Sequence, residues 1–210
     1  MTSIRPRRSA LYMPGSNARA IEKARTLATD VVIFDLEDAV APDAKAQARE
    51  QVCAAVRAGG YGPRERVIRI NGLETPWGEA DLAASVAAAP DAILVPKVSS
   101  AETLAAIGLR LRRLGADERT RIWAMIETPL AILHAQTIAS AARDVDTRLA
   151  CLVMGTNDLA KDTRARLLPG RAAMLPWLMT ALAAARAHGI DILDGVYNAL
   201  ADLDGFRAEC

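Results

Sequence analysis

Seven short apolar runs alternate with alanine-rich helical stretches along the chain, and this alternation limits the possible folds more than any other feature. The runs are rich in β-branched residues, as strands buried on both faces are. Strands that alternate strictly with helices predict a parallel sheet, because each helix returns the chain to the same end of the sheet. The apolar runs cover residues 9–14, 31–38, 66–71, 91–97, 121–128, 149–156 and 190–196.

The number of these units favours a (β/α)8 TIM-type barrel over an open doubly wound sheet. No GxGxxG motif follows any predicted strand, which counts against a dinucleotide-binding fold. A complete barrel has eight units in about 250 residues, so we expect the eighth β/α unit to be missing or incomplete. We predict one barrel domain over residues 1–210, because the sequence shows neither a linker nor a low-complexity segment.

The composition argues against several classes of protein. Aromatic residues make up only 4% of the chain, which predicts a core of aliphatic side chains. The formal net charge is +1, so no broad electrostatic field points to nucleic acid or to a membrane surface. No stretch approaches membrane-spanning length, the N-terminus has no apolar signal core, and the three cysteines lack paired spacing. We therefore expect a cytoplasmic protein without nucleic-acid or membrane partners.

Three arginines, Arg5, Arg7 and Arg8, lie close together near the N-terminus. A cluster of this kind is able to hold phosphates, and it is equally compatible with a solvated terminus. The residues alone leave both interpretations open.

Charged side chains follow almost every predicted strand at its carboxyl end. In a parallel barrel these ends meet at one mouth, where barrel enzymes carry their chemistry. Several carboxylates at one mouth repel one another unless they are protonated, paired with basic side chains or bound to a cation. The strand-end residues are Asp35, Glu37, Asp38, Arg69, Asn71, Lys97, Glu127, Asn157, Asp158 and Asp194.

Glu127 and Asp158 are the best candidate metal ligands among these residues. Each follows an apolar run on adjacent predicted strands, beside a turn-forming Pro129 or Gly155. Two carboxylates without a nearby histidine or cysteine form a hard oxygen site, which suits Mg²⁺. Alternatively, both carboxylates cap the following helices or pair with Lys97 and Arg69, and spacing alone does not separate these interpretations.

Two basic strand-end residues suggest different chemistries. The planar fork of Arg69 matches a carboxylate or a developing oxyanion, and a salt bridge from Arg69 to Glu37 or Asp38 is compatible with that role. Lys97 would form a Schiff base only if its pKa were depressed, which its many carboxylate neighbours oppose. His134 and His188 fall in predicted helices, so we expect no histidine general base.

Several motifs together resemble the citrate lyase β-subunit-like branch of the HpcH/HpaI aldolase superfamily. The resemblance covers residues 8–198, and its most specific feature is the order LEDAV, RIN, IETP and GTNDL. The matching segments are RSALYMPGS, VVIFDLEDAVAPDAKAQAR, RVIRINGLETPWGEADL, ILVPKV, MIETPLAIL, MGTNDLAKD and DGVYN.

The resemblance implies roles for particular residues. Glu127 and Asp158 would bind Mg²⁺, and Glu127 would thereby also contact the substrate. Arg69 would contact the substrate and the enolate oxygen of the thioester. Glu37 and Asp38 would form an acidic pair that orients metal-bound waters and moves protons. Arg8 matches a position near the phosphates of coenzyme A.

The implied activity is cleavage or formation of a 3-hydroxyacyl thioester of the malyl-, citramalyl- or citryl-CoA type. The products would be an acyl-CoA, or an acyl-carrier thioester, and a 2-oxo acid, and the enzyme would be a homotrimer or a higher oligomer. Longer relatives continue with an eighth strand and a lid, so the resemblance suggests a short form here. Two different functions remain open: a class II aldolase acting on free pyruvate, and a weakly catalytic binding or regulatory subunit.

Overall fold

A computed structural model describes residues 5–210 and contains all seven predicted strands. Each strand lies within a few residues of the apolar run that predicted it. The strands are β1 (Ala10–Pro14), β2 (Val31–Asp35), β3 (Glu65–Arg69), β4 (Ala92–Val95), β5 (Arg121–Ile126), β6 (Leu149–Met154) and β7 (Asp191–Leu193).

Helices cover the outer face of the sheet, and among residues 5–210 none is long and apolar enough to cross a membrane. Three short 3-10 turns, at Pro42–Ala44, Ala141–Arg143 and Val145–Thr147, supplement the α-helices. The α-helices are α1 (Ala18–Lys23), α2 (Lys45–Ala58), α3 (Gly78–Ala88), α4 (Ala101–Arg113), α5 (Pro129–Leu133), α6 (Ala135–Ser140), α7 (Thr156–Thr163), α8 (Leu175–Ala187) and α9 (Leu203–Glu209).

The sheet is entirely parallel, and its spatial order β1 to β7 follows the order along the chain. β1 pairs with β2 and β7 with β6, which leaves the outer edges of β1 and β7 unpaired within residues 5–210. The sheet curls, so that Arg7, just before β1, reaches both Glu65 of β3 and Asp191 of β7. The expectation of a TIM-type barrel without its eighth unit is confirmed.

Side chains on the two faces of the curled sheet form two separate cores, because successive side chains of a strand point to opposite faces. A large core lies between the sheet and the helices. A smaller core fills the inside of the barrel and contains Val31, Ile33, Val67, Ala92, Leu94, Trp123, Met125, Cys151 and Val153. The inner core closes the barrel below the carboxyl ends of the strands, so the barrel interior has no room for a ligand and the mouth is the place to look for the site.

Candidate active site

Strands β2, β3 and β5 each place one charged side chain at the mouth of the barrel. Each of these side chains points inward and lies directly above the apolar side chains of the inner core. On β3 the inward series is Glu65, Val67 and Arg69, and on β2 it ends at Asp35. On β5 the same alternation through Trp123 and Met125 brings Glu127 to the mouth. Because every second side chain of a strand points inward, three separate stretches of sequence contribute to one polar layer at the mouth.

Asp35 and Arg69 form a buried, two-pronged ion pair across the β2–β3 register. Arg69 Nε donates to Asp35 Oδ1 at 2.7 Å and Nη2 donates to Oδ2 at 2.6 Å. Asp35 is 2% exposed and Arg69 is 6% exposed. Burial opposes the charge of Arg69, but the hydrogen bonds and charge of Asp35 outweigh it, so the pKa of Arg69 lies above its ordinary value.

The second terminal nitrogen of Arg69 faces the acidic pair that the sequence singled out. Nη1 lies 2.8 Å from Glu37 Oε2 and 3.2 Å from Asp38 Oδ2. The two carboxylates differ in their environment, because the Glu37 side chain is 14% exposed and that of Asp38 is 70% exposed. Burial raises the pKa of Glu37 to about 8 in spite of the nearby arginine, so Glu37 is able to exchange a proton near neutral pH.

Glu127 is fully buried, and its two carboxylate oxygens have different surroundings. Oε1 accepts a hydrogen bond of 2.7 Å from the backbone N–H of Lys97. Oε2 is buried without a hydrogen-bond partner among residues 5–210. Burial, reinforced by the charge of Asp158, raises the pKa of Glu127 to about 7. A buried carboxylate oxygen without a donor is costly, and a cation would satisfy it.

Local structure explains why particular residues occur in the IETP and GTNDL motifs. The Thr128 side chain accepts a hydrogen bond from the Ala131 N–H and begins α5 with Pro129 in its first turn, so Glu127 does not need to cap that helix. At the start of α7, a Cβ atom on Gly155 would lie 2.6 Å from Glu127 Oε2. Only glycine allows β6 to approach Glu127 so closely, and Asp158 follows in the first turn of α7.

Asp158 lines an open cavity of about 310 Å³ at the barrel mouth. The loop after β7 forms another part of its wall and is joined to α7 by a reciprocal amide pair between Asn157 and Asn198. The side chains and backbone lining the cavity belong to Tyr12, Asp35, Asp38, Ala39, Arg69, Met125, Met154, Gly155, Thr156, Asn157, Asp158 and Val196.

The residues present fit a magnesium ion better than a transition metal. Within residues 5–210 no group of three or more histidine, cysteine or carboxylate side chains is arranged so that it could hold a metal ion. Glu127 and Asp158 offer carboxylate oxygens, and one of these, Glu127 Oε2, has no other partner in the described part of the chain. Mg²⁺ binds through one or two carboxylates and keeps several waters or substrate oxygens, so a two-carboxylate site is sufficient for it.

The structure separates the three N-terminal arginines from the mouth of the barrel. They precede β1 and therefore lie at the opposite, N-terminal end of the strands. Arg8 pairs with Asp30 there, at 2.8 Å, and does not line the cavity at the barrel mouth, so a contact between Arg8 and the substrate stays a prediction. Arg5 pairs with Asp91 at 3.0 Å, and these carboxylate partners offset the positive charge that a phosphate site would need.

The surroundings of Lys97 and His134 argue against a catalytic role for either side chain. The Lys97 side chain is exposed, whereas a Schiff-base lysine needs burial or a cationic neighbour. Its backbone has a positive φ of 53°, which aims the N–H at Glu127 instead. His134 lies at the junction of α5 and α6 and contacts the Ser99 carbonyl at 2.9 Å, away from the lining of the cavity.

Sequence reasoning did not single out Asp35 and Tyr12 as site residues, although both line the cavity. Asp35 is one of many strand-end carboxylates in the sequence, and its pairing with Arg69 depends on strand register. Tyr12 lies with its ring centre 5.1 Å from the Arg69 guanidinium. Both residues could have been found from the alternation of side chains between the two faces of a strand. Asp35 lies on the same inner face of β2 as Val31 and Ile33, and Tyr12 lies on the inner face of β1.

The chain is similar to known proteins along nearly its whole length. A family model described as HpcH/HpaI aldolase/citrate lyase matches residues 8–210. A "(3S)-malyl-CoA thioesterase" of Cereibacter sphaeroides is 50% identical over 205 residues, which is 98% of this chain and 68% of that protein. The citrate lyase subunit beta of Escherichia coli is 34% identical over 98% of this chain and 68% of its own length.

Among solved structures, the chain is similar to the CitE protein of Mycobacterium tuberculosis in complex with magnesium, acetoacetate and coenzyme A. The TM-score is 0.78 and the sequence identity is 30%, over 97% of this chain and 72% of that one. The similarity therefore extends over nearly all of this chain, but over a smaller share of the length of each of these proteins.

Proposed function

The chain belongs to the HpcH/HpaI aldolase/citrate lyase family, and on that basis we propose that it is a Mg²⁺-dependent carbon–carbon lyase. Its substrate is a 3-hydroxyacyl thioester of the malyl-, citramalyl- or citryl-CoA type, and its products are an acyl-CoA and a 2-oxo acid. The observation that carries the proposal is the buried Oε2 of Glu127, unpartnered within residues 5–210, at a mouth that also holds Asp158 and Arg69. A relative crystallised with magnesium and coenzyme A supports the choice of cofactor and thiol carrier.

Each group at the mouth has a part in this reaction. Glu127 and Asp158 would hold Mg²⁺, which would supply Lewis acidity to the reacting oxygens of the substrate. Glu37, whose pKa of about 8 leaves a fraction of it ionised near neutral pH, accepts the hydroxyl proton in that ionised form, directly or through water, assisted by Asp38. The carbon–carbon bond then breaks, and its electron pair moves into the thioester carbonyl to form an enolate.

Arg69 stabilises the negative charge that develops on the enolate oxygen. Its guanidinium is held in place before substrate arrives, so no reorganisation is needed during the reaction. Protonation of the enolate carbon completes the acyl-CoA product. In the reverse direction the same groups would join an acyl-CoA to a 2-oxo acid.

A second candidate is hydrolysis of the thioester bond. It is favoured by one observation, that a relative 50% identical to this chain is named a (3S)-malyl-CoA thioesterase. In that reaction water replaces the thiol, and the 3-hydroxy acid and free coenzyme A are released with the carbon–carbon bond intact. The two activities use the same substrate and therefore require a product analysis.

The deciding experiment is incubation of the purified chain with malyl-CoA and with citramalyl-CoA, with and without Mg²⁺. The proposal predicts acetyl-CoA and a 2-oxo acid in equal amounts, only when Mg²⁺ is present. Free thiol and malate or citramalate would instead identify a hydrolase. Turnover of free pyruvate with an aldehyde would favour the class II aldolase, and thioester binding without any product would favour a regulatory subunit.

We also propose that the chain forms a homotrimer or a higher oligomer in the cytoplasm. The unpaired edges of β1 and β7 within residues 5–210 support self-association, since exposed strand edges tend to pair or to be covered. The cysteines Cys53, Cys151 and Cys210 are all free, which suits a reducing compartment.

A further inference from the structure

The fork of Arg69, which would suit a carboxylate or an oxyanion, is already occupied in this protein. Its Nε and Nη2 atoms donate to the two oxygens of Asp35 at 2.7 and 2.6 Å. Asp35 is held from its other side, because it accepts backbone N–H groups of Glu37 at 2.8 Å and of Ala39 at 3.1 Å. The carboxylate therefore cannot turn away to release the fork without losing several hydrogen bonds.

Asp35 takes up two of the five N–H groups of Arg69, which leaves the second N–H of Nη2 and both N–H groups of Nη1 for other partners. Nη1 faces the acidic pair Glu37 and Asp38, and it also contacts Met125 Sδ at 3.8 Å. The Tyr12 ring covers one face of the guanidinium, with 5.1 Å between the Arg69 Cζ atom and the ring centre. The group is thus held along one edge by Asp35 and on one face by Tyr12, while Nη1 points to the cavity side.

We infer that Asp35 is a positioning residue of the reaction, which holds the fork of Arg69 so that the arginine meets the developing enolate oxygen through the terminal N–H groups that Asp35 does not occupy. This inference rests on the proposed function for the identity of the oxyanion. The buried carboxylate also offsets the charge of Arg69 before substrate binds, so that the arginine acts on the substrate through N–H donors of fixed direction. A small displacement of such a donor is expected to slow the chemical step strongly.

The same strand provides a matched control at its other end. Arg7 Nε and Nη2 donate to the two oxygens of Glu65 at 2.7 and 2.8 Å, and Glu65 is 2% exposed, as Asp35 is. Glu65 and Arg69 are the first and last residues of β3. Asp35→Asn and Glu65→Gln therefore each remove one charge from a buried, two-pronged pair, but only the first pair is at the cavity.

The experiment compares these two variants with the wild type in kcat, KM, Mg²⁺ affinity and Tm. Both variants should lose Tm to a similar degree, because both leave a buried guanidinium with a weaker partner. Asp35→Asn should lower kcat by about 10²-fold with a smaller change in KM, whereas Glu65→Gln should keep the wild-type kcat. Asp35→Glu, which retains both carboxylate oxygens, should recover part of the lost kcat. Equal kcat losses in the two variants would reduce Asp35 to a stabilising residue and overturn the inference.

A double-mutant cycle with Arg69→Lys tests whether Asp35 acts through the arginine. In the Arg69→Lys background, adding Asp35→Asn should change kcat by less than about threefold, because the group that Asp35 positions is already lost. A full additional loss would mean that Asp35 acts by another route, such as the backbone of Glu37, and would overturn the inference.

One further measurement does not depend on activity. The side-chain NMR signals of Arg69 are identified as the arginine signals that disappear in Arg69→Lys. In the wild type these signals should show a slowly exchanging Nε–H and separate resonances for the Nη1 and Nη2 groups. Fast exchange and averaged Nη signals would overturn the pairing even if Asp35→Asn fails to fold. If the NMR pattern is present but no thioester is turned over, the proposed function fails while the fixed geometry of Arg69 stands.

Discussion

Arg7 and Arg8 are neighbours in the sequence, but the structure gives their side chains very different surroundings. The Arg7 side chain is 15% exposed, is paired with Glu65, and lies 5.0 Å from the centre of the Trp123 ring. The Arg8 side chain is 79% exposed and pairs with Asp30. Substituting each arginine therefore compares a buried ion pair with an exposed one at the same end of the barrel.

We expect Arg7→Met to be strongly destabilising. Methionine retains an apolar stem over Trp123 but leaves Glu65, whose side chain is 3% exposed, with only the more distant Arg5, at 4.0 Å. Removing one member of a buried pair costs about 3–5 kcal/mol, out of a typical total of about 5–15 kcal/mol for a folded domain. In a chain of this size each kcal/mol lowers Tm by roughly 2–4 °C. Arg8→Ala should leave the free energy of unfolding nearly unchanged, because solvent screens its ion pair.

The assay is urea unfolding of the wild type and both variants, followed by circular dichroism. The urea concentration at the unfolding midpoint should be lower for Arg7→Met than for the wild type. The slope of the free energy of unfolding against urea concentration should stay unchanged, which would show that the stability changed and not the surface exposed on unfolding. If Arg7→Met costs no more than Arg8→Ala, the reasoning from burial is wrong. Arg8→Ala also tests the predicted contact between Arg8 and the substrate: a raised KM for a CoA thioester would support it, and a wild-type KM would contradict it.

Three further predictions concern the metal, the buried acid and the assembly. Calorimetry should show Mg²⁺ binding to the wild type and its loss in the Glu127→Gln, Asp158→Asn double variant; an unchanged affinity would exclude this pair as ligands. Burial raises the pKa of Glu37 from 4.5 to about 8, so the proton binds the folded state more tightly. Without Mg²⁺ the wild type should therefore lose a few kcal/mol of stability as the pH rises through this window, and Glu37→Gln should lose less. Parallel pH profiles of the two proteins in urea denaturation would contradict that. Light scattering should detect an oligomer at micromolar concentration, and an active monomer across that range would refute self-association.

The adjacent acids Glu37 and Asp38 illustrate where sequence reasoning stops. The sequence predicts them as one acidic pair, and nothing in the local sequence distinguishes them. In the structure Lys45 donates to the carbonyls of Leu36 and Glu37 and holds the loop in place. Glu37 is then largely buried and Asp38 exposed, and burial raises the pKa of Glu37.

The sequence by itself determined the order of the seven β/α units and the strand-end positions of Arg69, Glu127 and Asp158. It did so because both signals are local: an apolar run predicts a buried strand, and in a parallel sheet all carboxyl ends meet at one edge. Only the tertiary structure decided that Asp35 occupies the fork of Arg69 and that Arg8 lies at the far end of the barrel. Those outcomes depend on the register between strands and on burial, which bring together residues 34 positions apart along the chain and which no local pattern encodes.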